Sequence, residues 1–148
     1  MLSIEQKREA LRRCPLFSQL EVTEIGVLSE SMEEELFHVG EEVCLAGETA
    51  DRVYIIYEGA LAVYLPNLPE PVRVLRPSQV FGEYGMVTQT RTTTIKAVET
   101  TTMLSMSYER FQNFLLSYPA ALFELFRTSV NRLIGAEKRL IEKNHQKN

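Results

Sequence analysis

The sequence predicts an α+β fold, a jelly-roll-like antiparallel β domain set between helical ends. Three observations lead there. Both ends carry apolar residues at helical spacing, while the middle breaks into short β-rich segments separated by turn residues. Val53-Tyr54-Ile55-Ile56-Tyr57 is apolar throughout, as a strand covered on both sides would be. Many short strands at this spacing favour a sandwich or a jelly-roll barrel.

Ile4 to Arg13 is a polar, helix-favouring stretch ended by Cys14-Pro15, because the residue before proline is pushed out of the helical region. Glu21 to Met32 places Val22, Ile25, Val27 and Leu28 at roughly helical period. Strands are expected at Leu36–Val39, Glu42–Leu45, Val53–Tyr57, Ala60–Leu65, Val72–Leu75, Thr92–Val98 and Thr102–Met106. Glu58-Gly59 and Pro66-Asn67-Leu68-Pro69 punctuate them. After Ser107 the helical pattern returns over Tyr108–Tyr118, and Pro119 fits the first turn of a last helix reaching about Lys143. Phe123, Phe126, Val130, Leu133 and Leu140 fall at alternating three and four spacing, with Glu137 interrupting the seam. That face either packs on the β domain or pairs with a second copy. Asn144 to Asn148 is polar and expected to fray.

Composition narrows the function. With 148 residues and no internal spacer the chain reads as one domain. Hydrophobic content of 45% and charged content of 24% are those of an ordinary globular protein. No apolar run approaches the roughly 18 to 20 residues a membrane helix needs, and the N-terminus lacks a secretory core. Cys14 and Cys44 lack metal-type spacing and read as reduced, buried thiols of a cytoplasmic protein. The net charge of −4 argues against a nucleic-acid-binding surface. His38 and His145, far apart, cannot build a metal centre of the jelly-roll kind, and no nucleophile stands with a partnering base, so no enzyme activity is expected.

The chemistry concentrates in Phe81 to Ile95, FGEYGMVTQTRTTTI. Gly82 allows close backbone approach or a turn where a Cβ would clash. Glu83 offers two acceptor oxygens to a sugar hydroxyl. The helix start near Gly85 and Met86 is expected to leave free N–H groups as an anion site. Arg91 supplies a permanent charge with a planar donor fork suited to phosphate. The threonines that follow read as a β-type tract whose N–H and OH groups close over phosphate oxygens. Together these parts suit a singly charged phosphate diester beside a ribose. Glu83 with Arg91 also has a plainer reading, an internal ion pair stitching a loop to a strand.

Phe81-Gly82-Glu83-Tyr84-Gly85-Met86, a short loop, then Arg91-Thr92-Thr93-Thr94-Ile95 resembles the phosphate-binding cassette of the cyclic nucleotide-binding domains. That family includes kinase regulatory subunits, cyclic-nucleotide-gated channels and catabolite-activator-type regulators. Leu16-Phe17-Ser18, Phe37-His38-Val39-Gly40-Glu41, Gly47, Ala50-Asp51, Tyr54 to Gly59 and Val74-Leu75-Arg76-Pro77 sit where the family's landmarks would fall. The chain departs from the pattern in a loop one residue shorter than is common, in Thr93 at a position usually alanine, and in Ser78 where glycine usually follows the proline.

The resemblance implies an eight-stranded antiparallel β-roll with N-terminal helices and two C-terminal helices. Residues 1–32 would form the helical lead-in, 33–107 the roll with its cassette at 81–95, and 108–148 the C-terminal helices, all one domain over 1–148. It implies that Phe81, Gly82, Glu83, Tyr84, Gly85, Met86, Arg91, Thr92 and Thr93 hold cAMP or cGMP as a regulatory ligand, with no further cofactor. Thr92 after the arginine is linked in the family with tolerance of guanine, although threonine also suits any strand. A residue of the last helix often caps the base, for which Arg127, Arg132 and Leu133 are candidates. Tyr84, Met86, Phe111 and Leu115 would couple the cassette to helices that swing over the ligand. A rival reading keeps the roll as a protein-interaction module with a vestigial site. A DNA-binding reading would need a helix-turn-helix after the last helix, for which no room is expected before Asn148. Output would then pass through a homodimer on the C-terminal helix, through an effector protein, or through a further domain outside these 148 residues.

Overall fold

The computed structural model describes residues 1–147. Helix α1 (Ile4–Arg13) starts at a reciprocal cap: Ser3 Oγ accepts from the Gln6 N–H at 3.1 Å, and Gln6 Oε1 accepts from the Ser3 N–H at 2.8 Å. It stops at Cys14, extended before Pro15, where a short 3₁₀ turn Pro15–Phe17 leads to α2 (Val22–Glu30).

Eight strands follow: β1 (Glu33–Phe37), β2 (Glu42–Cys44), β3 (Arg52–Glu58), β4 (Leu61–Tyr64), β5 (Arg73–Leu75), β6 (Val80–Phe81), β7 (Thr94–Ala97) and β8 (Thr101–Ser107). Helix α3 (Gly85–Thr88) lies between β6 and β7, and α4 (Tyr108–Ser117) and α5 (Pro119–Lys147) follow β8. The strands form two antiparallel sheets, β1-β8-β3-β6 and β2-β7-β4-β5. This is the expected α+β roll with helices at both ends.

β3 explains the architecture best. Val53 and Ile55 join the core shared with the helices, alongside Leu11, Phe17, Ile25, Phe111 and Leu115. Tyr54 and Ile56 point the other way, into the roll with Leu61, Val63, Phe81 and Met103. Strand alternation therefore feeds two cores from one segment, as its continuous apolarity predicts.

Three expectations need correction. The first strand is Glu33–Phe37 and not Leu36–Val39: its acidic start pairs with β8, Glu33 bonds Arg52 at 3.2 Å, and a Glu34 carboxylate accepts the Leu2 N–H at 2.6 Å. β6 is only two residues long and carries no period of its own to read. Finally, α5 stays helical through Lys147, so the part of the fraying expected at Asn144–Lys147 does not occur, while Asn148 lies outside the described residues.

Along α5 the buried Ala121 faces the body of the protein, whereas Phe123, Phe126, Leu133 and Leu140 are exposed, so the apolar seam does not pack on the roll. Among the described residues no helix is long and apolar enough to cross a membrane.

Candidate functional site

β6 pairs with β3 through Tyr54↔Phe81 and Ile55↔Val80 and delivers the chain to Gly82. There φ is +89°, and a Cβ would sit 2.8 Å from Arg91 Nη1 and 2.9 Å from the Arg52 carbonyl oxygen. Glycine is required on both counts. The segment after α3 turns at Gln89, left-handed with φ 68°, and is stitched to the loop after β2. The Arg91 N–H donates to Glu48 O at 2.7 Å and the Gly47 N–H donates to Arg91 O at 2.8 Å. A loop one residue short therefore still returns Arg91 to the roll.

Arg91 is 9% exposed as a residue, and its guanidinium is held by hydrogen bonds on both sides. Nη1 donates to Gly82 O and to the Tyr108 hydroxyl, both at 3.3 Å, and Nη2 donates to Arg52 O at 3.1 Å. Its Cζ lies 5.6 Å from the centroid of the Tyr54 ring, which stacks on Phe81 at 4.9 Å. No carboxylate among the described residues forms an ion pair with it. Glu83 does not do so either. Its Oε1 accepts from Arg132 Nη1 of α5 at 3.3 Å, so the internal Glu83–Arg91 pair of the plainer reading does not form.

Burial pushes the Glu83 carboxyl above its ordinary value of 4.5, against its own backbone amide and the charges of Arg132 and Arg73. Desolvation, then Arg132, lower the Arg73 guanidinium. Burial also raises the Tyr108 phenol, opposed by Arg91, which keeps its proton in place for donation.

Eight of the nine predicted residues line one cavity: Phe81, Gly82, Glu83, Tyr84, Gly85, Arg91, Thr92 and Thr93. Met86 turns away to pack against the core shared with the helices. Cys44, Arg73, Leu75, Ile95 and Arg132 complete the lining. Sequence reasoning did not find Cys44 or Arg73, which arrive from β2 and β5 without any local motif. Of the three candidate caps, Arg132 enters the cavity, while Arg127 pairs with Glu124 at 2.6 Å and Leu133 is 60% exposed. The cavity is small, about 40 Å³.

The amides expected to be free are not. Gly85 N–H donates to Gly82 O at 3.3 Å and Met86 N–H to Glu83 O at 3.2 Å, because the chain begins to turn two residues before α3 proper. The threonine tract is also shorter as a strand than expected. β7 starts at Thr94, whose hydroxyl accepts the Ala46 N–H at 3.1 Å, leaving Thr92 and Thr93 in the bend beside the cavity.

A β-roll between helices thus places a carboxylate, and a guanidinium with no ion-pair partner among the described residues, at one cavity. The sequence model of the cyclic nucleotide-binding domain matches residues 34–118, and the chain belongs to that family. It is 30% identical, over 82% of its length, to a cyclic nucleotide-gated potassium channel of Mesorhizobium japonicum, covering 33% of that protein. It is 28% identical, over 70% of its length, to the cAMP-dependent protein kinase regulatory subunit of Dictyostelium discoideum, covering 34% of it. The chain thus spans about a third of these relatives. Among solved structures, the N-terminal domain of a transcriptional regulator from Streptomyces coelicolor A3(2) aligns with TM-score 0.66 and 26% identity, over 87% of this chain and 92% of that one. The Thermus thermophilus catabolite activator protein shares the fold at TM-score 0.75 and 22% identity, over 85% of this chain and 61% of that one.

Proposed function

We propose that this chain is a cytoplasmic sensor, one domain over residues 1–148, that binds cAMP or cGMP without chemistry on it. The observation that carries this reading is Arg91, a nearly buried arginine that no carboxylate among the described residues neutralises, at the wall of a cavity. A buried charge without a partner is costly, and a phosphate diester supplies the missing anion. Arg91 takes the cyclic phosphate, Thr92 and Thr93 close over its oxygens, and Glu83 accepts from the ribose 2′-hydroxyl. Glu83 then discriminates against deoxy analogues, since its buried carboxylate would lose that donor.

The cavity of about 40 Å³ is far below the roughly 300 Å³ at the lower end of ligand pockets. Binding therefore requires α5 to withdraw Arg132 from Glu83, and ligand shifts the population toward that opened state. Tyr84, Met86, Phe111 and Leu115 carry the movement between cassette and helices. Output passes through a homodimer on the exposed α5 seam or through an effector protein, not through nucleic acid.

The test is calorimetric titration of cAMP and cGMP into the wild-type protein, with Arg91→Ala as control. Low-micromolar binding that collapses in the variant supports the reading, and the order of the two ligands reports what Thr92 does. The small cavity favours one second reading, a β-roll interaction module with a vestigial site. No heat up to millimolar ligand would establish that alternative.

A further inference from the structure

One side chain outside the cassette touches its charge carrier directly. Tyr108 opens α4 immediately after the cap Ser107, and its N–H donates to Asp51 O at 3.1 Å. Its hydroxyl donates to Gly82 O at 2.6 Å and accepts from Arg91 Nη1 at 3.3 Å. The same Arg91 Nη1 reaches Gly82 O, so phenol, guanidinium and carbonyl form a closed triangle. The surroundings are cut to fit it. A Cβ on Gly85 would collide with the Tyr108 hydroxyl and come within 2.5 Å of the Ala50 Cβ, so the absence of a side chain there makes room for the phenol. Tyr108 does not line the cavity itself.

We propose that Tyr108 is the positioning residue for Arg91, holding the guanidinium at the cavity wall and linking its occupancy to the start of α4. Among the described residues the Arg91 side chain hydrogen-bonds only to neutral groups: two backbone carbonyls that belong to the roll and the cassette, and the Tyr108 hydroxyl. Of these acceptors only Tyr108 belongs to a C-terminal helix. An anion held by Arg91 fixes the guanidinium and with it the bond to Tyr108, so occupancy of the site reaches the first residue of α4 through one hydroxyl. The inference rests on the nucleotide-binding reading above, in which Arg91 takes the phosphate.

The experiment is a double-mutant cycle of Tyr108→Phe with Arg91→Lys, read by calorimetric titration of whichever of cAMP and cGMP binds more tightly. Phenylalanine keeps the ring and removes only the hydroxyl. Lysine keeps the charge and removes the fork. Tyr108→Phe is expected to weaken binding about ten-fold in the wild-type background, the scale of a hydrogen bond to a charged group. In the Arg91→Lys background it should cost less than about two-fold, because the acceptor no longer has its donor. Gly85→Ala, which displaces the hydroxyl without removing it, should match Tyr108→Phe. Amide hydrogen exchange should also show nucleotide-induced protection of α4 in the wild type and its loss in Tyr108→Phe. Equal losses from Tyr108→Phe in both backgrounds, or wild-type affinity in Tyr108→Phe, overturn the positioning role while leaving nucleotide binding intact. No binding by the wild type overturns the functional reading and this proposal together.

Discussion

Arg132 Nη1 lies 3.3 Å from Glu83 Oε1, so the last helix holds the acidic group of the cassette from across the cavity. The Glu83 side chain is 7% exposed and that of Arg132 29%, which makes the contact partly screened. In the proposed mechanism this guanidinium occupies the oxygen that a ribose hydroxyl needs. Arg132→Ala should therefore tighten cyclic nucleotide binding by up to about five-fold, the scale of a partly exposed ion pair. Weaker binding in the variant would show that Arg132 contacts the ligand and does not compete with it.

The Glu83 carboxyl supplies a pH signature. Its folded-state pKa is raised, burial being the main cause. A carboxyl raised on folding contributes stability that is fully present below the unfolded value and is lost as pH rises through the folded value. Denaturant unfolding across this range should show the wild type losing stability relative to Glu83→Gln as pH climbs above about 4.5, the unfolded reference. A difference that grows in favour of the wild type over that interval would contradict the assignment.

Ser78 marks a site where the backbone asks for another residue. Its φ is 75°, and the Gln79 N–H donates to Arg76 O at 3.2 Å, closing a turn with Pro77 and Ser78 at its centre. Such turns take glycine at the third position because the left-handed region penalises a Cβ. Ser78→Gly should raise unfolding stability by about 0.5 to 1 kcal/mol in chemical denaturation. Destabilisation would mean that the serine side chain makes a contact worth more than the strain.

Both cysteines should be silent in the native protein. Cys14 is 1% exposed and burial pushes its thiol up to about 11, while Cys44 is buried and also raised. The thiolate is the reactive form, so both should react with a disulfide reagent only on unfolding. Because Cys44 lines the cavity, its reaction in the folded state should appear only if the site opens, and nucleotide should suppress it. Fast native labelling of Cys14 would refute its burial.

The cassette was legible because its determinants are contiguous. Gly82, Glu83 and Arg91 lie within one strand-turn-helix segment, and residue type states each role. What escaped came from elsewhere in the chain. Arg73 reaches the cavity from β5 and Cys44 from β2, and Tyr108 meets Arg91 from α4 across a separation of 17 residues. Nothing local in an alternating strand or a helix says which face will meet a distant loop. The free amides at Gly85 and Met86 were misplaced for a different reason. Helix starts are decided by hydrogen bonds that begin with Gly82 O, and a glycine at positive φ gives no sequence cue to where turning begins.

β3 is a party wall. Val53 and Ile55 belong to the room shared with the helices, and Tyr54 and Ile56 to the interior of the roll. A single residue inserted ahead of Val53 would exchange the tenants of both rooms at once. It would also carry Tyr54 out from beneath Arg91 and away from Phe81. Insertions should therefore be tolerated in segments such as 66–71, where exposed turn residues separate β4 from β5. The strand that looks most ordinary by composition is the one where the reading frame of the fold cannot slip.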